Sequence, residues 1–546
     1  MATHHLEVEQ KFELADVNSE VPSVEWSFKR WSVSEPVTEQ LDATYYDTPS
    51  GNLGRHKVAL RRRLGGYDQG WHIKFDAAGQ RHEVTFDLLS NRSAMPAAVR
   101  KFVQVPALGE ELEPRVSLKT QRTRTVILDR AGEQLAEICD DQVQALDYAT
   151  GQERAWHEWE VELLGQTAQD RKLTEALFAD VARQLQAVGA VPSQSPAKIA
   201  RALGQDAEFE ARRMGGKAKG QGKKSAKKKK KALTAEFPRV PSSAELLTRV
   251  LASQTQRLAQ ADLLVAAGAP DATHQGRIVA RQLRSVLKYM ALPYARSGFA
   301  PALKDMMQGL KTYARQLETH RNGELVHPMA QQVLQAHPML GESSGAAFGA
   351  VMEHQQADAA AQARRYLASA GRLELQLALE SLLADVTLAV ELPLNSENYV
   401  NKVAKRLRKN LVKQGERAVA TWPEQAADFA AGTAFDEGLH DVRKAAKAVR
   451  YCLFAAADAG LPLIGPQAKL VARAKAVQAE LGELTDELTM GDWLLGLRAQ
   501  ANELGLDPFA VGYLLGRSEL LAMGLRMTAF DALPRALKKV KGIKLT

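Results

Sequence analysis

The stretch His5-Leu-Glu-Val-Glu-Gln-Lys-Phe-Glu-Leu14 decides how the first half of the chain is read. Polar and apolar residues alternate, so Glu7, Glu9 and Lys11 share one face of a strand while Leu6, Val8 and Phe12 take the other. The same period of two runs through 58–64 (VALRRRL), 70–76 (GWHIKFD), 81–89 (RHEVTFDLL), 122–128 (RTRTVIL), 134–146 (QLAEICDDQVQAL) and 157–164 (HEWEVELL). Turn chemistry lies between them, at Thr48-Pro-Ser-Gly51, Gly65-Gly66, Ala77-Ala-Gly79 and Arg130-Ala-Gly132. Helical patterns are confined to 94–104 and 172–188. Antiparallel strands with few helices predict an α+β domain built on a closed barrel or a sandwich.

The polar faces are segregated by sign. Arg61 lines up with Arg63, Arg122 with Arg124, and Glu158 with Glu160 and Glu162, opposite Trp159, Val161 and Leu163. A sheet with a solvated face alternates its charges for cross-strand pairs instead. Carboxylates at period two raise one another's pKa unless a cation holds them, and hard oxygen donors suit Mg²⁺ or Mn²⁺. Facing guanidinium and ammonium groups suit an anion of several phosphates. Metal on one wall and cations on the others is the arrangement phosphoryl transfer requires.

These residues resemble the CYTH superfamily, the triphosphate tunnel metalloenzymes, over about two hundred residues. Glu7-Val-Glu-Gln-Lys11 is similar to its E-x-E-x-K signature, Tyr45-Tyr-Asp-Thr-Pro49 to its Y-[FY]-D-T-P turn, and Leu60-Arg-Arg-Arg63 to its L-R-x-R strand. Trp71-His-Ile-Lys74 resembles its lysine strand, Glu158-Trp-Glu-Val-Glu162 its acidic final strand, and Ser195-Pro-Ala-Lys198 its late serine–lysine element. His72-Ile73 stands where Thr-Leu is commoner. The resemblance implies a closed eight-stranded antiparallel β tunnel that transforms triphosphates with a divalent metal. It implies Glu7, Glu9, Glu160 and Glu162 as metal ligands, with Glu158 and Asp141 as further candidates. Lys11, Arg61, Arg63, Lys74, Arg122, Arg124 and Lys198 would grip the phosphate chain. Glu7, Glu9, Lys11 and Glu83 are the expected catalytic set, with Glu83 and Glu137 as additional acidic walls for a second metal or for orienting water.

From Arg212 to Lys231 the chain carries eleven Lys or Arg and no acid. Subtracting these from the net charge of +8 leaves −3 over the rest, so the excess sits in one segment. A basic disordered linker is expected at 206–238, between an N-terminal domain at 1–205 and an all-α domain at 239–546. The segment lacks interleaved aromatic residues, so specific nucleic-acid recognition is not expected of it. Beyond it, apolar residues recur every three or four positions, with breaks at Gly268-Ala-Pro270, His337-Pro338, Gly341-Glu-Ser343 and Leu461-Pro462.

His274, Arg277, Arg281 and Arg284 recur as His440, Arg443, Lys447 and Arg450, at i, i+3, i+7 and i+10 in both places. At about 100° per residue each set makes one stripe along a helix. Four stacked cations repel by a few tenths of a kcal/mol per neighbouring pair, so a twice-written stripe predicts an anion. Lys402, Lys405, Arg406, Lys409 and Lys413 form a further basic stripe. These features resemble the CHAD domain, a helical bundle of two internal repeats that occurs fused after CYTH. That resemblance implies polyphosphate binding along a basic channel and association with polyphosphate granules.

The 546 residues hold only two cysteines, Cys139 and Cys452, which excludes a disulfide framework and a C-x-x-C metal knuckle. Residues 1–12 lack an apolar core and no uncharged apolar run reaches membrane-spanning length, so a cytoplasmic protein without membrane attachment, in places granule-associated, is expected. The expected activity is metal-dependent hydrolysis of inorganic triphosphate or short polyphosphate. The competing readings are a non-catalytic granule-binding protein, a thiamine triphosphatase or an adenylate cyclase.

Overall fold

In the computed structural model, residues 3–14, 20–193, 195, 197–206, 240–337, 340, 342–421 and 433–545 are described. The chain divides into two compact units, 1–235 and 236–546. The expected linker lies outside the described residues except for Asp206.

In the first unit the alternating stretches become β1 (Thr3–Glu7), β2 (Glu9–Leu14), β5 (Val58–Leu64), β6 (Gly70–Ala77), β7 (Gln80–Phe86), β8 (Glu113–Leu128), β9 (Gln134–Asp147) and β10 (Glu153–Leu163). To these are added β3 (Ser32–Val33), β4 (Val37–Asp47) and β11 (Ala190–Pro192). The strands form one antiparallel sheet of eleven, in the order β1-β7-β6-β5-β4-β8-β9-β10-β2-β11, with β3 on β8.

The expected closed sheet of eight is thus corrected to a sheet of eleven strands, ten of them on a hydrogen-bonded path that does not close. The cause lies in the opening stretch. It parts at Val8, whose carbonyl accepts from Leu163 N at 3.0 Å. Before the break Glu7 registers with Arg81 of β7, and after it Glu9 registers with Glu162 of β10. The two ends of the path are therefore neighbours in the chain, with short β11 added beyond β2.

Among the described residues four α-helices accompany the sheet: α1 (Asn52–Arg55), α2 (Ala97–Val103), α3 (Arg171–Ala187) and α4 (Lys198–Ala202). Asp170 caps α3 by accepting from Lys172 N and Leu173 N, and Gly189, at φ 87°, follows its end. Leu177, Val181 and Leu185 recur at helical spacing and pack on Phe12, Ile138, Trp159 and Val161. Each such side chain contributes about 1.5–3 kcal/mol on burial. The apolar faces of β2 and β10 are thereby covered, and their charged faces turn the opposite way. Ala202 of α4 joins a second cluster with Tyr45, Val116, Val143 and Trp156.

The second unit is helical: α5 (Ser243–Ala267), α6 (Ala272–Val286), α7 (Phe299–Gln316), α8 (Glu318–Ala336), α9 (Glu342–Leu367), α10 (Ala370–Ala384), α11 (Val386–Ala389), α12 (Ser396–Ala420), α13 (Thr433–Asp458), α14 (Gly465–Glu480), α15 (Gly482–Arg498) and α16 (Pro508–Lys541). A capping box between Ser242 and Glu245 starts α5, and Gly268, at φ 71°, ends it. Asp262 of α5 accepts from Tyr313 Oη of α7 at 2.8 Å and pairs with Arg372 of α10 at 2.6 Å, all three buried. This network ties α7 to α5 and α10, and α6 passes close over it at Gly276, where a Cβ would lie 2.8 Å from Tyr313 Oη. The helix α6 packs on α13, which brings the two predicted stripes together. No helix among the described residues is long and apolar enough to cross a membrane.

Candidate functional site

The charged faces of the sheet converge. Glu9 and Lys11 of β2, Arg61 and Arg63 of β5, Lys74 of β6 and Glu83 of β7 line one cavity of about 440 Å³. Arg122 of β8, Glu160 and Glu162 of β10 and Lys198 of α4 line it too. Glu7, Arg124, Asp141 and Glu158 stand next to these residues and are not part of the lining.

Most of the acids are held by cations. Glu7 accepts from Lys74 at 2.5 Å, and Lys11 lies 3.0 Å from Glu9 and 2.6 Å from Glu160. Arg122 makes a two-pronged contact with Asp141, at 2.8 and 2.7 Å, and reaches Glu160 at 3.1 Å. Lys198 meets Glu158 at 2.5 Å, Glu160 at 2.6 Å and Asp141 at 3.1 Å. Glu158 also accepts from Trp156 Nε1 at 2.7 Å. Glu83 faces Lys74 at 3.5 Å and Arg61 at 3.7 Å. Arg63 pairs with Asp68, and Arg124 lies 3.8 Å from Glu137 with its guanidinium over the Tyr67 ring.

Glu162 makes no ion pair among the described residues, and burial followed by repulsion from Glu7 and Glu83 pushes its pKa up to about 7, against the pull of Lys74. Lys11 is held well above its ordinary value by Glu160 and Glu9, although burial works the other way. The lining also includes residues outside the expected site set, among them His72 and Tyr45. His72 Nδ1 lies 2.8 Å from Glu83 and its Nε2 2.8 Å from the Asp68 carbonyl. Tyr45 lines the cavity beside Arg61. The period of two could have flagged His72, two positions from Lys74 on the same face.

The donor set fits a divalent ion. Asp141, Glu158 and Glu160 bring carboxylate oxygens within 4.8 Å of one another. Among the described residues the buried Glu7 Oε2 accepts no hydrogen bond, with Arg81 Nε 3.6 Å away as its charged neighbour, which leaves a hard oxygen open to a further ligand.

The helical unit has its own site. His274, Arg277, Arg281 and Arg284 of α6 and His440, Arg443 and Lys447 of α13 line one cavity of about 710 Å³. Arg450 is not brought to it and donates to Gln478. Arg321 of α8, which donates to His274 Nδ1 at 2.9 Å, also lines the cavity. So do Lys444 and Asp486. Lys444 was legible as the residue one turn after His440; Arg321 belongs to no stripe.

Arg277 pairs with Glu318 at 2.7 Å, whereas Arg281, Arg284, Arg443 and Lys447 make no ion pair among the described residues. Burial, with Arg443, Arg281 and Arg277 close by, pushes Lys447 down to about 7. Burial, Lys444 and Arg281 push His440 down to about 4. The cations of this lining stand close together and outnumber its acids, Glu318, Asp486 and Asp492.

Comparison with known proteins agrees with both halves. Residues 5–187 match the CYTH domain family and 249–495 the CHAD domain family. Two uncharacterized proteins from strains of Mycobacterium tuberculosis are each 29% identical over 559 residues, covering 98% of this chain and 96% of theirs. Among solved structures, the CHAD domain from the plant Ricinus communis aligns at 21% identity with a TM-score of 0.43, over 55% of this chain and 92% of that one. A putative adenylyl cyclase from Hippeastrum, described as having a dominant triphosphatase activity, aligns at 17% identity with a TM-score of 0.21, over 38% of this chain and 96% of its own. The chain thus carries a CYTH domain at 5–187 followed by a CHAD domain at 249–495.

Proposed function

We propose that the first unit is a divalent-metal-dependent inorganic triphosphatase acting on triphosphate or short polyphosphate, and that the helical unit binds polyphosphate. The observation that carries the first part is the facing of acids and cations across one cavity of about 440 Å³. In this reading the sheet works as a tunnel around the substrate. Glu7, Glu9, Glu160 and Glu162 hold Mg²⁺ or Mn²⁺, with Asp141 and Glu158 completing the set. When bound, the metal neutralises phosphate oxygens and lowers the pKa of a coordinated water.

The chain's own residues then have separable tasks. Arg61, Arg63, Lys74 and Arg122 align the phosphate chain by charge-assisted hydrogen bonds, with Lys11, Arg124 and Lys198 closing around it. Glu83, hydrogen-bonded to His72, stands beside Lys74 and is placed to orient the attacking water. In the helical unit two repeats each give one stripe, and both face the cavity of about 710 Å³. Granule association follows from that binding.

Phosphate release from tripolyphosphate, ATP and thiamine triphosphate, with and without Mg²⁺ or Mn²⁺, tests the enzyme. Metal-dependent release that prefers tripolyphosphate is expected, with a loss of at least about 100-fold in Glu9→Gln. No release from any of the three leaves a protein that only binds.

A further inference from the structure

Lys198 is the cation most deeply engaged with the acidic wall. Its ammonium stands 2.5–3.1 Å from oxygens of Glu158, Glu160 and Asp141, the three carboxylates whose spacing suits one cation. The ammonium thus sits where a divalent ion would draw on the same oxygens. Although burial works against it, Glu158, Glu160 and Asp141 hold this ammonium above its ordinary pKa.

Its mounting differs from that of the other lysines. Lys11 and Lys74 rise from strands β2 and β6, fixed by ladder hydrogen bonds on both sides. Lys198 rides on the five-residue α4, outside the sheet, and lines the cavity. Arg201 of the same helix is buried against Glu13 and the Trp156 ring, so the backbone is anchored. Lys198 has a four-carbon stem with rotatable bonds, so its ammonium can be redirected only by exchanging its three carboxylate contacts for others.

We propose that Lys198 is a tethered stand-in cation: it holds the Asp141–Glu158–Glu160 cage and yields it to a divalent ion by swinging onto the substrate's phosphates, so that metal and triphosphate bind cooperatively. This rests on the metal-dependent reading above. An ion entering alone takes the three carboxylate contacts of the ammonium in a buried site, and a buried charge that loses its partners is costly. A triphosphate gives it new oxygens. Each ligand thereby removes a cost of binding the other, and the coupling is reciprocal.

The test is calorimetric titration of Mn²⁺ into the full-length, metal-free protein, alone and with imidotriphosphate, a triphosphate analogue with nitrogen bridges. In the wild type the analogue should tighten Mn²⁺ by about tenfold or more. In Lys198→Gln, Mn²⁺ alone should bind several-fold tighter than in the wild type, and the analogue should no longer strengthen it. Lys198→Arg, which keeps the charge, should retain the coupling. Lys198→Met serves as a second neutral variant if Lys198→Gln fails to fold. Unchanged Mn²⁺ affinity and coupling in the neutral variants, or weaker Mn²⁺ binding alone, overturns the stand-in role while leaving the metal-dependent reading intact. A wild type that binds no Mn²⁺ overturns that reading, and this inference with it.

Discussion

Lys447 shows how a single side chain can set the pH range of a site. An ordinary lysine keeps its charge far above neutrality. Here burial comes first, and the stacked cations Arg443 of its own helix and Arg281 and Arg277 of α6 add to it, with Asp486 of α15 as the partial counterweight. The result is an ammonium that loses its proton near pH 7 in the free protein. A bound polyanion raises that pKa, so above pH 7 binding must take up a proton and affinity falls as pH rises. Below about pH 6 the lysine is charged in both states and the dependence vanishes. His440, pushed down to about 4, is neutral across this range in the free protein. Polyphosphate affinity measured from pH 6 to 9 should therefore drop by up to about tenfold per unit above pH 7. Lys447→Arg, which keeps its charge throughout, should flatten the profile; an equally steep fall in that variant would remove Lys447 as the cause.

Elements were legible wherever a period was clean. The helix at 172–188 appears as Arg171–Ala187, and the break at Gly268-Ala-Pro270 falls where α5 ends. Two features of the sheet were not. The eleven-residue β4 is marked in the sequence mainly by its terminal Tyr45-Tyr46-Asp47, because the polar run Thr38-Glu39-Gln40 interrupts the alternation ahead of Leu41, Ala43 and Tyr45. The parting at Val8 leaves no mark in the alternation, since side chains keep their faces while the backbone changes partners. At the candidate site, the like-signed faces identified the residues that converge. The way lysines and arginines already neutralise the carboxylates is a matter of distance, which spacing alone does not carry. The stripes of α6 and α13 illustrate the same limit. Seven of their eight positions meet at one cavity, and Arg450, at the far end of α13's stripe, turns to Gln478 instead. Reversing Arg281 and Arg443 together to Glu removes one cation from each helix. At about 1.5 kcal/mol for each charged contact, polyphosphate binding should weaken roughly 100-fold, read by titration of labelled polyphosphate. Retention of wild-type affinity would mean that the anion rests elsewhere.

At the scale of the whole molecule, each unit has its own core. The clusters that seat the acidic wall, around Trp159 and around Tyr45, contain only residues of the first unit. The cluster joining Val326, Phe348, Met490 and Leu514 contains only residues of the second. Each site is likewise lined from within its own unit. Domains with their own cores fold alone, and both units here exceed the size at which a core becomes self-sufficient. Residues 1–206 and 240–546, produced as separate chains, should each melt cooperatively. The first should release phosphate from tripolyphosphate with kcat/KM within about twofold of the full-length protein, since the chemistry needs nothing from the helices. The second should bind long polyphosphate with full-length affinity and release no phosphate. On long chains the full-length protein should surpass an equimolar mixture of the halves, because a chain held by the helical unit meets the cavity at raised effective concentration. Equal rates for the fusion and the mixture would show that joining the two units adds nothing to catalysis.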